Sequence, residues 1–125
     1  MAATGSVQYT NYKKITTAGA EIWDVYAYDF NGLPLRSVTI EVDTTLGVAT
    51  LNLSTIAGLL GTTPYNLAGT KITIVALTGA TNDVVINAGG SDTIGSVTTF
   101  SLSFDGSSAI LSPVDSTNWA IVYTK

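Results

Sequence analysis

The chain has 125 residues, a formal net charge of −4 and charged side chains at only 11% of its positions, with no cysteine and no histidine. That is one domain's worth of sequence, held without disulfides, and it excludes thiol nucleophiles, Ser-His pairs and the usual zinc sites. The five basic residues are Lys13, Lys14, Arg36, Lys71 and Lys125, while Asp83, Asp92, Asp105 and Asp115 fall in the cation-free stretch between Ile72 and Thr124, which excludes a nucleic-acid surface there.

Mean hydropathy is positive at +0.36 and Ser plus Thr number 31, so the surface is polar but hardly charged. Such composition implies that part of the apolar surface is covered by other copies or by another protein; the alternative is a monomer coated with hydroxyls. Met1-Ala2-Ala3-Thr4-Gly5-Ser6 lacks the basic start and apolar core of a secretory signal, so manufacture and use without export through that route is expected. From Thr44 to Thr70 no residue is charged, yet polar residues and glycines interrupt the apolar ones too often for a membrane helix, and no membrane contact is expected.

Taken in order, residues 1–20 are small, polar and aperiodic around Tyr9, Tyr12, Lys13, Lys14 and Ile15, which predicts an extended N-terminal arm that needs a surface to lie on, with the tyrosines as anchors. From Glu21 a strand begins with Trp23, Val25 and Ala27 on one face and Tyr26, Tyr28 and Phe30 on the other. Asn31-Gly32 suits a type I′ turn, so a hairpin is predicted, returning through Ser37–Asp43 with Val38, Ile40 and Val42 inward and Pro34 at the start or edge. Val48–Leu53 reads as a third strand with Ala49, Leu51 and Leu53 inward. Ser54 or Thr55 then caps a short helix over Ile56–Leu60, ended by Gly61 and Thr63-Pro64. Strands follow at Lys71–Leu77 and Val84–Ala88, with a loop at Gly89-Gly90-Ser91-Asp92 leading to Ile94. In the closing run Phe100, Leu102 and Phe104 alternate with serines, Asp105-Gly106 turns the chain, and Trp119, Ile121 and Tyr123 share one face of a last strand. These six residues are the expected core or oligomer interface. The pattern predicts an all-β fold, an antiparallel β-sandwich or jelly-roll-like barrel of about eight strands with one short helix, over residues 21–125.

Candidates for chemistry are few. Glu41 and Asp43 lie two apart on one strand face and point outward together, the arrangement of a solvated face rather than of a hydrolytic acid pair. Asn82, Asp83 and Asp92 flank one strand and offer oxygens to a calcium ion, but they also suit Asx turns, and no dense acidic loop is present. Gly89-Gly90 lacks the lysine and following helix of a phosphate loop. Trp119 would stack on a sugar ring if exposed, but its alternation with Ile121 and Tyr123 places it in a core or interface. No catalytic residue, metal site or cofactor is expected, and the chain reads as a non-enzymatic protein.

The runs Lys71-Ile72-Thr73-Ile74 and Asn82 to Ile94, a Ser/Thr-rich strand, Asp105-Gly106 and the ending Thr117-Asn118-Trp119 resemble the C-terminal β-domains of bacteriophage virion proteins, of the tail-fibre, head-fibre and capsid-decoration type. The similarity spans about residues 70–125, with Thr-Asn-Trp its most particular part. It implies a structural virion component that is usually trimeric, partnered by its own copies and by a major capsid or other virion protein. In that reading Tyr9, Tyr12, Lys13, Lys14 and Ile15 would attach it to the particle. The chain has no coiled-coil or repetitive shaft, which favours a head-surface or collar component. The alternative is a receptor- or glycan-binding tip of a phage fibre, with loops near Asp83, Asp92 and Asp105 around an exposed aromatic.

Overall fold

The computed structural model describes residues 3–7, 10–26, 37–57, 70–77, 82–103 and 106–124. They form eleven strands: β1 (Gly5–Val7), β2 (Tyr12–Thr16), β3 (Glu21–Val25), β4 (Ser37–Asp43), β5 (Ala49–Leu53), β6 (Lys71–Ala76), β7 (Val84–Asn87), β8 (Thr93–Ile94), β9 (Thr99–Leu102), β10 (Ser108–Pro113) and β11 (Asn118–Thr124). Up to β9 the chain alternates between two sheets. The odd strands make a five-stranded sheet in the order β1-β3-β5-β7-β9, and the rest make a six-stranded sheet in the order β2-β4-β6-β10-β11-β8. After β1 and β2, each of the next two circuits adds one strand to each sheet, parallel to the strand laid down before it.

The local cause of the strands is period-2 alternation. In β4, Val38, Ile40 and Val42 are fully buried between half-exposed Thr39 and Glu41, and Ala49, Leu51 and Leu53 in β5, Ile72, Ile74 and Ala76 in β6, and Val84 and Ile86 in β7 repeat the pattern. Parallel pairing sets equivalent residues side by side, so Trp23, Leu51 and Ile86 form one inward row of the first sheet and Ile40 and Ile74 part of one in the second. These inward residues belong to a single buried cluster shared by both sheets. Burying a Leu or Ile this completely contributes roughly 1.5–3 kcal/mol. Successive circuits also touch at their corners: a Cβ on Gly47 would lie 2.1 Å from the carbonyl carbon of Gly19, so no other residue fits there.

The structure departs from the sequence reading in five places. β3 and β4 do not form a hairpin: β3 pairs with β1 and β5, whereas β4 pairs with β2 and β6 in the other sheet. Asn31-Gly32 and Pro34 lie outside the described residues, and a turn-forming pair reverses the chain without fixing which sheet it re-enters. Residues 1–20 do not all form a separate arm, because β1 and β2 are the outermost strands of the two sheets and Val7 and Ile15 are 1% exposed. The surface this segment needs is the chain's own. The antiparallel pairing expected of a jelly-roll-like barrel is confined to β7-β9, β6-β10 and β10-β11, and the six other pairs are parallel. Only Ile56 and Ala57 of the expected helix are described; the Ile56 N–H donates to Asp92 Oδ2 at 2.8 Å, so its acceptor comes from a distant loop rather than from Ser54 or Thr55. Finally, the two expected closing strands fall in different sheets, β9 in the first and β11 in the second, and a further strand, β10, follows β9 in the chain and lies between β6 and β11 with Ala109 and Leu111 buried.

Candidate interaction surfaces at the two ends of the sheets

At the first end the edges are β1 and β2. The Trp23 ring stands over Gly5, its partner in the row, occupying space that any side chain at Gly5 would need. Glu21 secures the ring by accepting from the indole N–H at 3.1 Å and from the Ala18 N–H at 2.7 Å. Lys13, in the inward row with Ile40, places its ammonium 5.5 Å from the Trp23 ring centroid, a cation–π distance. Thus a lysine, a carboxylate and an indole close the core here, although the apolar alternation would by itself leave it open. Tyr12 and Lys14 point the other way, onto the outer face of the six-stranded sheet beside Thr39 and Glu41. The Tyr12 hydroxyl is raised above the usual phenol range by partial loss of water against the sheet and by the Glu41 carboxylate it hydrogen-bonds. Asp43 is held below the usual carboxylate range by the Thr45 hydroxyl at 2.7 Å and the Thr45 N–H at 3.0 Å, with Lys14 adding to the effect. Glu41 and Asp43 therefore serve different neighbours and do not form an acid pair.

Of the residues expected to attach the protein to a particle, Ile15 is buried, Lys13 is folded over Trp23, and Tyr12 and Lys14 are exposed. Tyr9 lies outside the described residues.

At the other end the edges are β9, β8 and the last residues of β11. Leu102 and Trp119 are buried at 1% exposure, Phe100 and Ile121 are half-buried, and Tyr123 is 39% exposed. Phe104 lies outside the described residues. Phe100 of the first sheet and Tyr123 of the second meet edge to face, ring centroids 5.3 Å apart, so five of the six expected interface residues converge along this side of the core. The Trp119 indole N–H is buried without a hydrogen-bond partner, and the ring is not available to stack on a sugar. Four of the six exposed large apolar residues among those described, Val97, Val114, Val122 and Tyr123, belong to this last part of the chain.

The Thr-Asn-Trp ending has a structural task. Asn118 Nδ2 donates to both Asp115 oxygens at 3.0 Å, and Asn118 Oδ1 accepts from the Thr93 hydroxyl across the β8-β11 pair. Asp115 is in turn kept below the usual carboxylate range by Asn118 and the Thr117 N–H. Asp92 is buried at 4% exposure and engaged with Ile56, while Asn82 Nδ2 donates to the Thr44 carbonyl at 2.7 Å. Asp92 and Asn82, two of the residues considered for calcium, are thus each engaged in a separate structural bond, and no cluster of three or more His, Cys, Asp or Glu occurs among the described residues. Nor is any helix among them long and apolar enough to cross a membrane.

One feature escaped the sequence reading. Ser6, Asp24, Asn52, Asn87 and Thr99 form an outward row across all five strands of the first sheet. Within it Asn87 Nδ2 donates to Asn52 Oδ1 at 3.0 Å, and the Thr99 hydroxyl donates to Asn87 Oδ1 at 2.8 Å. The available signal was an asparagine in the middle of two strands, where that residue is normally depleted.

No family model matches the chain, and no curated protein and no solved structure matches it either.

Proposed function

We propose that this chain is a non-enzymatic structural protein of a virus particle, a capsid-decoration or head-fibre/collar component that works as an assembly of identical copies. One observation carries the reading: β9 and β11, two strands without Asp, Glu, Lys or Arg, bring Phe100, Val122 and Tyr123 to one end of the sheets with these residues partly or largely exposed, the kind of surface that copies bury against one another. The likeness of residues 70–125 to phage virion β-domains supplies the setting, and three is the copy number it implies. The parallel circuits add a mechanical argument, since strands wound in register distribute load along rows of backbone hydrogen bonds. We read the architecture as a short, irregular β-helix of two facing sheets, closed by antiparallel strands.

Attachment to the particle falls to the outer face near β2, through Tyr12 and Lys14, rather than to a free arm. Native mass measurement of the purified protein tests self-association, and a monomer at micromolar concentration would remove the reading. Particle attachment is tested with Tyr12→Ala/Lys14→Glu, which should abolish co-sedimentation with particles while leaving the circular dichroism spectrum unchanged. Co-sedimentation equal to that of the unaltered protein would show that attachment uses another surface.

A further inference from the structure

We infer that the free edge of β11 is a docking strand for β11 of a second copy, paired antiparallel about a two-fold axis through Val122. This inference rests on the self-association proposed above but assigns it a two-fold contact in place of the three copies that the likeness to phage domains implies. β10 covers one side of β11 along its whole length, but on the other side β8 reaches only Asn118 and Trp119. The last bond there is from the Gly95 N–H to the Trp119 carbonyl, at 3.0 Å, and among the described residues no strand lies beside Ile121–Thr124.

The phase of the ladder shows what this edge offers. Val114 donates to the Asn118 carbonyl at 2.8 Å, which makes 114/118, 112/120 and 110/122 the hydrogen-bonded pairs between β10 and β11. The N–H and C=O groups of Ile121 and Tyr123 therefore point away from β10, toward the open side. A strand is the partner that satisfies such alternating donors and acceptors. With the axis at Val122, Ile121 of each copy faces Tyr123 of the other and the two exchange both backbone bonds, four in all. Val122 meets its own equivalent in the closer, non-bonded type of pair, Cα atoms about 4.5 Å apart.

The choice of a second copy follows from charge and edge protection. Each copy carries −4, so copies meet most easily where charge is absent, and Asn118–Thr124 contains no Asp, Glu, Lys or Arg. Val122 is 63% exposed on the outer face and Tyr123 39% on the other. The other outer strands are shorter or charged: β1 has three residues, β8 two and β9 four, and β2 carries Lys13 and Lys14.

The chain has no cysteine, so Val122→Cys introduces a single thiol. Under mild oxidation this variant should form a disulfide-linked dimer, because the expected separation falls within the roughly 4.4–6.8 Å that a disulfide spans. Ala120→Cys, on the same face but opposite Thr124 of the partner, should cross-link at least about tenfold more slowly. Tyr123→Pro removes an N–H that the monomer does not use and should give a monomer by native mass. Val122→Lys, which leaves the backbone unchanged, should do the same. Equal cross-linking at 120 and 122, or an assembly that survives both Tyr123→Pro and Val122→Lys, would overturn the contact. An odd-numbered assembly such as a trimer would also overturn it while leaving self-association standing, whereas a monomer at every concentration would remove both.

Discussion

The two ends of this molecule solve the same problem in opposite ways. Every wound sheet exposes an apolar cross-section where the winding starts and stops. At the first end Trp23 lies over Gly5, with Glu21 on its indole N–H and the Lys13 ammonium over its ring, so charge and an aromatic plate seal the core. At the other end Phe100 and Tyr123 meet across the two sheets, from strands that contain no Asp, Glu, Lys or Arg, and β11 runs on past its pairing with β8. If copies associate as proposed, a finished end and an unfinished one on the same small domain would direct that association through the unfinished end.

The comparison is most severely tested by removing residues 1–20. A dispensable arm would leave the fold intact, but loss of β1 and β2 takes Val7 and Ile15 from the core and uncovers β3 and β4, and cooperative unfolding should be lost or its midpoint greatly lowered in a thermal melt. Trp23→Ala should cost about 3 kcal/mol in urea unfolding, within the range for large-to-small changes and tempered by the ring's partial exposure. A loss below about 0.5 kcal/mol, the size of an ordinary surface change, would show that the ring is not a closure. Asn87→Ala breaks two bonds in the row that crosses the first sheet and should cost about 1–2 kcal/mol. Lys13→Met keeps most of the side chain but not its charge and should cost about 0.5–1 kcal/mol, with the loss reduced at high salt if the cation acts on the indole.

The smallest effect is expected from acid. Asp115 has a folded pKa below its unfolded value, so its contribution is present above the unfolded value near pH 3.8 and fades as pH falls through the lower folded one. Amide exchange at Thr117 and Asn118 should therefore rise relative to the core only in strong acid, and Asp115→Asn should remove that pH dependence.

Much of the strand content was legible because alternation is a local property. Val38, Ile40 and Val42, or Ile72, Ile74 and Ala76, are inward in the sequence pattern and inward in the fold, since successive side chains of any strand leave on opposite faces. That Trp119, Ile121 and Tyr123 share one face of β11 was legible for the same reason, but not that Phe100 and Leu102 stand in the other sheet. The residues at the first end were misread as an arm because their two strands are short and polar. In isolation Lys13 looks like a solvated charge, and only the Trp23 ring beside it explains an inward lysine. Asn52 and Asn87 likewise looked like interruptions, since the row that pairs them joins residues from different circuits.

By itself, the sequence determined an all-β chain without disulfides, which residues of most strands face inward, and a stretch from Ile72 to Thr124 without positive charge. Those are matters of composition and of a two-residue period, and neither depends on what lies beside a strand. Tertiary structure alone decided that strands up to β9 alternate between sheets, that most pairs are parallel, that β10 lies between β6 and β11, and that β8 covers only the start of β11. The physical reason is that a strand's hydrogen-bonding groups are the same whatever its sequence. Which neighbour they find is chosen by the joint burial of all the inward faces, and no local pattern carries that choice.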